Sequence, residues 1–163
     1  MDILGQFINP EILVQNLNKL NAISLLTLNP GVSIQHLSQH QQKNFVLPPD
    51  LQQFYKQFNG FELSWTKQSV IGLLQVHKIQ QLRQENDEIE FAKCAHGIFL
   101  LASQGVIFKP CYTSAQYQIA ASFTDFWIKM VQFLGVNGWA LLAAGQQIGA
   151  IEQEFVHQIY KNE

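Results

Sequence analysis

The sequence LPPDLQQFYKQFNGFELSW, at residues 47–65, has the pattern of a helix that begins, ends and is followed by a strand. Pro49 suits the first helical position, where a backbone N–H has no intrahelical partner. Asp50 complements the positive end of the helix dipole. The apolar residues then recur at helical spacing, at Leu51, Phe54, Tyr55 and Phe58. Asn59-Gly60 predicts the end of the helix, because glycine adopts the left-handed conformation without a Cβ penalty.

The period of the apolar residues changes after Gly60. Phe61, Leu63 and Trp65 alternate with polar residues, which is the pattern of a half-buried strand. The stretch therefore predicts a helix joined directly to a strand. It contains no set of residues that performs chemistry by itself.

The composition predicts one folded domain with a weakly charged surface. The chain has 163 residues, of which 47% are hydrophobic, and that is enough to form a sizeable core. Charged residues make up only 13%, about half of the usual share, and there are 22 glutamines. Such a neutral polar surface fits either a compositional bias of the genome or a protein held inside an assembly.

Charge and cysteine content exclude several classes of protein. The net charge is −2 and no basic stripe is present, so we expect no nucleic-acid partner. Cys94 and Cys111 form no CxxC pair and suit a reducing, cytoplasmic compartment. The N-terminal residues do not have the pattern of a secretory signal, and no apolar run has the 18 residues of a membrane span.

The segments that flank residues 47–65 predict an α+β fold. A first helix is expected over residues 9–28 and a second over about 33–43. Ser122 predicts the start of a strongly apolar helix, and further helices follow it. Six strands are expected, at 61–65, 70–74, 89–94, 97–102, 106–108 and 116–120, with a charged loop at 84–88. The predicted architecture is N-terminal helices on a mostly antiparallel sheet of five to six strands, with C-terminal helices.

No residue pattern predicts an active site or a metal site. His36 and His40 have the i, i+4 spacing of metal ligands, but no third ligand accompanies them, and a polar surface pair is favoured. Cys94 and His96 are able to share one face of a strand, but no third group orients them. The other histidines, His77 and His157, are isolated in the sequence. We therefore expect no catalytic residue, no cofactor, no metal and no small-molecule substrate.

The helix that begins Leu-Pro-x-Asp and ends at Asn-Gly resembles the signature of the SUKH superfamily. The resemblance extends over about residues 30–134 and includes a closing helix that starts Ser-Phe. It implies a single SUKH-like α+β domain over 1–163, with an N-terminal helix at 9–28, a core at 30–134 and a C-terminal helical extension at 135–161. The signature residues in this chain are Leu47, Pro48, Asp50, Phe54, Tyr55, Asn59, Gly60, Phe61, Trp65, Ser122 and Phe123.

A narrower resemblance exists within that superfamily. Asn59-Gly60-Phe61 followed by Trp65 resembles the non-catalytic subunit 2 of the tubulin polyglutamylase complex. The connector from Gly135 to Trp139 is similar to one in that subunit, although it lacks a proline. This resemblance implies a non-catalytic scaffold with protein partners in a microtubule-associated complex, in the cytoplasm and at the cilium or axoneme.

Two alternatives remain open from the sequence. SUKH-type immunity proteins bind and block a toxin enzyme, but they are usually acidic, whereas this chain is nearly neutral. An enzyme that uses Cys94 or the histidines is the second alternative. A binding module in a microtubule-associated complex is the preferred interpretation.

Overall fold

The computed structural model describes residues 9–19, 21–33, 35, 47–67, 70–94, 97–111, 114 and 116–132. This part of the chain has an α+β fold, as the sequence predicts. Its helices are α1 (Glu11–Lys19), α2 (Pro49–Gln57) and α3 (Phe123–Gln132), with a 3₁₀ turn at Ile79–Gln81. Its strands are β1 (Ile23–Pro30), β2 (Phe58–Lys67), β3 (Val70–Val76), β4 (Arg83–Glu85), β5 (Glu88–Cys94), β6 (Gly97–Ala102), β7 (Gly105–Pro110) and β8 (Tyr117–Ala120).

The strands form one antiparallel sheet. Its order is β1-β2-β3-β5-β6-β7-β8, and the short β4 pairs with β5 beside the end of β3. All the pairings among the described strands are antiparallel, which confirms the predicted type of sheet. The prediction of five to six strands is wrong, because the described part of the chain contains 8. The two strands that the sequence analysis missed are β1 and β4.

Strand β1 replaces the second half of the helix that was predicted over residues 9–28. Helix α1 ends at Lys19, and Asn21 follows it with a left-handed φ of 60°. The N–H of Ala22 then donates to the carbonyl of Leu17 at 3.0 Å, as expected where an asparagine ends a helix. The leucine-rich run after Ala22 fits both the helical and the strand period. Pairing with β2 selects the extended conformation.

Strand β4 lies where a charged loop was predicted over residues 84–88. Asn86 and Asp87 have φ values of 53° and 62°, and they form a two-residue turn between β4 and β5. Two successive left-handed residues are typical of type I′ hairpin turns, whose twist matches that of the flanking strands. The loop prediction is therefore wrong, and the segment is a β-hairpin.

The junction of α2 and β2 differs from the prediction by a few residues. Helix α2 begins at Pro49 as predicted, but it ends at Gln57, and Phe58 is extended with φ −141°. Gly60 has the expected left-handed conformation, with φ 75°, but it lies within β2 rather than at the end of the helix. The prediction of Asn59-Gly60 as the helix cap is wrong in position.

The core lies between α2, α3 and one face of the sheet. Phe54 of α2 and Trp127 of α3 pack on Phe61 of β2, with ring centroids 6.2 and 5.9 Å from the Phe61 ring. On the same helix, the ring centroid of Phe126 lies 5.0 Å from that of Phe99 of β6. Leu13 and Leu17 of α1 belong to the same buried cluster. We call this side of the sheet the inner face and the opposite side the outer face.

Helix α3 starts where the sequence predicts. The Ser122 hydroxyl accepts the N–H of Asp125 at 3.1 Å, which is an N-cap bond. The predicted helical extension at 135–161, with Gly135 and Trp139, lies outside the described residues, as does almost all of the helix predicted over 33–43. None of the described helices is long and apolar enough to cross a membrane.

Candidate functional site

Asp50 joins the first turns of α2 and α3. Its Oδ2 accepts the backbone N–H of Thr124 at 2.9 Å and the Thr124 hydroxyl at 3.0 Å. Its Oδ1 accepts the N–H of Leu51 at 2.9 Å. One carboxylate thus accepts N–H groups in the first turns of two helices, where these groups have no partner within their own helix. The aspartate of the Leu-Pro-x-Asp motif therefore has a structural role.

The remaining polar signature residues organise the segment that follows β3. The Tyr55 hydroxyl donates to the carbonyl of His77 at 2.7 Å, in a fully buried position. The Asn59 side chain accepts the N–H of Ile79 at 2.8 Å and donates to Gln80 at 3.1 Å. Asn59 thereby supports the start of the 3₁₀ turn. These contacts are internal, and they leave the two side chains no access to a substrate.

Burial raises the pKa of the Tyr55 phenol well above its usual value near 10. The unfolded chain therefore releases a proton above pH 10 that the native chain retains, so stability falls as the pH rises. Between pH 9 and pH 11 this group alone should reduce the free energy of unfolding by about 1.4 kcal/mol. Urea unfolding of the wild type and of Tyr55→Phe at both pH values measures the effect.

Tyr55→Phe should lack this part of the pH dependence, at the cost of about 1 kcal/mol of stability at neutral pH through the lost hydrogen bond. Tyr117→Phe is the matched control, because it removes a phenol hydroxyl at a half-buried position of β8. If the wild type and Tyr55→Phe lost the same free energy of unfolding between pH 9 and pH 11, the assignment of this loss to Tyr55 would be wrong.

His77 is paired with a carboxylate, contrary to the prediction that it is isolated. Its Nε2 lies 2.8 Å from Oε2 of Glu90, and its side chain is 10% exposed. The backbone N–H of His77 also donates to the carbonyl of Phe91 at 2.8 Å. The pair connects the segment after β3 to β5. Because the imidazole is covered, its geometry suits a structural contact rather than proton transfer to a bound substrate.

Of the other histidines and cysteines that the sequence singles out, the structure describes only Cys94 and Cys111, and neither is in a disulfide bond. Cys94 is half-buried near the end of β5, and Cys111 is exposed after β7. His36, His40, His96 and His157 lie outside the described residues. Among the described residues, no group of three histidine, cysteine, aspartate or glutamate side chains is arranged to hold a metal ion.

A polar concavity on the outer face of the described structure is the candidate binding site. It is a cleft of about 330 Å³ between the β4–β5 hairpin and strands β6 and β7. Strand register builds it, because Arg83 pairs with Glu90, and Glu90 pairs with Leu100 on the other side. We call it the outer cleft, and the lining residues that we use are Arg83, Glu85, Glu88, Glu90, Ile98, Leu100 and Lys109.

The lining of the outer cleft combines both signs of charge with apolar side chains. Glu85 and Arg83 are exposed, whereas Glu88, Glu90 and Lys109 are half-buried. Ile98, which pairs with Lys109, is also half-buried, and Leu100 is buried. Sequence analysis interpreted the glutamates as a solvated loop and missed the cleft, because only the pairing of β4 with β5 brings Arg83 beside Glu90.

Comparisons with known proteins give no further assignment of this site. No protein-family model matches the chain, and no curated protein matches it.

Proposed function

We propose that the protein is a non-catalytic, SUKH-type binding module that acts within a microtubule-associated complex, such as a ciliary, axonemal or tubulin polyglutamylase assembly. The microtubule-associated partner is proposed because the signature residues resemble those of the SUKH superfamily and of subunit 2 of the tubulin polyglutamylase complex. One structural observation supports a binding role. The signature side chains Asp50, Tyr55 and Asn59 are engaged in internal contacts, whereas the outer face presents an open cleft.

The outer cleft suits a protein partner. Charged groups of both signs surround Ile98 and Leu100, and this mixture resembles the rim and the centre of a protein interface. Charges at such a rim select a partner and orient it more than they add affinity. The cleft is built on paired strands, so the backbone positions that carry its side chains are fixed before a partner arrives.

An immunity protein that blocks a toxin enzyme is the second candidate. The observation that favours it is the excess of acids in the outer cleft, where Glu85, Glu88 and Glu90 face two cations, Arg83 and Lys109. Such a surface complements a cationic active site, for example one that binds a phosphate backbone. The two candidates share the binding face and differ in the partner.

Chemical crosslinking in the cells that make the protein, followed by mass spectrometry of the captured partners, tests the proposal. We expect the wild type to capture a tubulin, axonemal or polyglutamylase component. Glu88→Lys, in the outer cleft, should reduce that capture by about tenfold or more, as for loss of an interface charge worth over 1.4 kcal/mol. Glu62→Lys is the matched control, because Glu62 is exposed on β2 outside the cleft.

The outcomes separate the partner from the binding face. Capture of none of these microtubule-associated components would overturn the first candidate. Capture of a toxin enzyme whose activity the purified chain inhibits would establish the second. If Glu88→Lys and Glu62→Lys captured the same partner equally well, the outer cleft would not be the binding face.

A further inference from the structure

Strand β1 is an edge of the sheet with exposed apolar side chains. It stands at the end of the strand order, and among the described residues it pairs only with β2. On the outer face, Ile23 is 77% exposed and Leu25 is 69% exposed. On the inner face, Leu26 and Leu28 are half-buried and line a shallow groove beside α1. Within the part of the chain that the structure describes, the strand thus offers a free edge of backbone groups together with apolar side chains.

Natural edge strands usually carry features that prevent further pairing, such as charged side chains, an internal proline or a very short length. Strand β1 has 8 residues, ISLLTLNP, without any charged residue. Its proline, Pro30, is the last residue, and the irregularity in its pairing lies between Leu28 and Pro30. Residues 23–27 therefore lack these protective features.

We propose that β1 is a homodimer interface, at which β1 of a second copy pairs with it in antiparallel orientation. A two-fold axis at Leu25 places Leu25 opposite its own copy and Ile23 opposite Thr27. Paired residues of an antiparallel ladder project on the same face of the sheet. The register therefore brings together on the outer face the side chains that are most exposed, and it keeps Pro30 beyond the paired segment.

Charge also favours a second copy as the occupant. A strand that pairs with its own copy repeats every charge across the axis, so a neutral strand avoids the repulsion that charged edges create. The nearest charge on the outer face of β2 is Glu62, which pairs with Thr27. In the proposed register, Thr27 lies opposite Ile23 of the second copy. The next neighbour across the sheet is Thr66 on β2 of that copy, and both of these residues are uncharged.

The expected dimer is weak. One strand on each side buries less than the roughly 1,200 Å² of a standard stable interface, so we expect a dissociation constant in the micromolar range. The inference does not rest on the proposed function, because β2 and β3 separate β1 from the hairpin that forms the outer cleft.

Sedimentation-velocity ultracentrifugation of the whole chain over a concentration range of about a hundredfold, up to about 500 µM, tests the inference. The wild type should shift from monomer to dimer, and Leu25→Lys should weaken the dimer by about tenfold or more, as a lysine does at a sheet edge. Ile23→Lys is a second variant at the same edge. Ile128→Lys is the matched control, since Ile128 is 37% exposed and lies on α3, away from β1. This variant should dimerise like the wild type.

A wild type that remains monomeric at the highest concentration would overturn the inference, as would dimerisation of Leu25→Lys with wild-type affinity. Thermal unfolding of each variant shows whether the substitution perturbs the fold, and Leu25→Lys is expected to melt close to the wild type because its side chain is exposed. If Leu25→Lys abolished the capture of a different protein while the wild type stayed monomeric, β1 would be a strand-addition site for that partner.

Discussion

Phe54→Ala should lower the free energy of unfolding by about 4 kcal/mol, the typical cost of removing a fully buried phenylalanine ring. Phe54 is 0% exposed. Its ring centroid lies 5.4 Å from those of Tyr55 and Phe123, 6.2 Å from that of Phe61 and 6.4 Å from that of Trp127. Removal of the ring opens a cavity at the point where α2, α3 and β2 meet, and stiff aromatic neighbours are poorly able to fill it.

Urea unfolding followed by far-ultraviolet circular dichroism measures this loss. Phe58→Ala is the matched control, because Phe58 is only half-buried, although its ring centroid lies 6.2 Å from that of Phe54. We expect its cost to be about half as large, in proportion to the area that it buries. A Phe54→Ala variant that lost no more stability than Phe58→Ala would show that Phe54 is not the centre of the core.

Gly60→Val should cost about 3 kcal/mol or more. Gly60 has a φ of 75°, and a Cβ at this position would lie 2.8 Å from the carbonyl oxygen of His77 and even closer to that of Val76. A β-branched residue resists this backbone conformation by roughly 1–2 kcal/mol, and displacement of the neighbouring backbone adds a comparable amount. The carbonyl oxygens of Val76 and His77 clash with the Cβ of any residue at this position. Gly60→Ala should therefore show most of the loss in stability that Gly60→Val shows.

The melting temperature should fall by about 10 °C for Gly60→Val, given roughly 2–4 °C per kcal/mol in a domain of this size. Thr66→Val provides the control, because it introduces the same side chain at an exposed position of the same strand. An unchanged melting temperature for Gly60→Val would mean that the chain is able to move β2 away from the segment after β3 without loss.

Local pattern was enough to predict much of the fold. Strand β6 occupies residues 97–102 as predicted, and α3 begins after Ser122 as predicted, because each depends on signals within a few residues. Strand β1 could not be predicted in this way, since its leucine-rich run fits two periods and only the pairing with β2 decides between them. Strand β4 has only 3 residues, and a pattern of that length is not distinctive.

The candidate site was harder to predict because its contacts join distant parts of the chain. Glu90 meets His77 across 13 positions, and Asp50 meets Thr124 across 74. No spacing rule anticipates such pairs without the strand register. The resemblance singled out Asp50, Tyr55 and Asn59, but their bonding partners are given only by the structure.

The bond between Asp50 and Thr124 has a consequence for the order of events during synthesis. A ribosome produces all eight described strands and helix α2 before it produces Thr124. Until α3 emerges, Phe54, Phe61 and Phe91 lack the rings of Phe123 and Trp127 that cover them. These rings therefore stay uncovered until the chain has been made as far as Trp127, and a binding factor that shields them would act before that point.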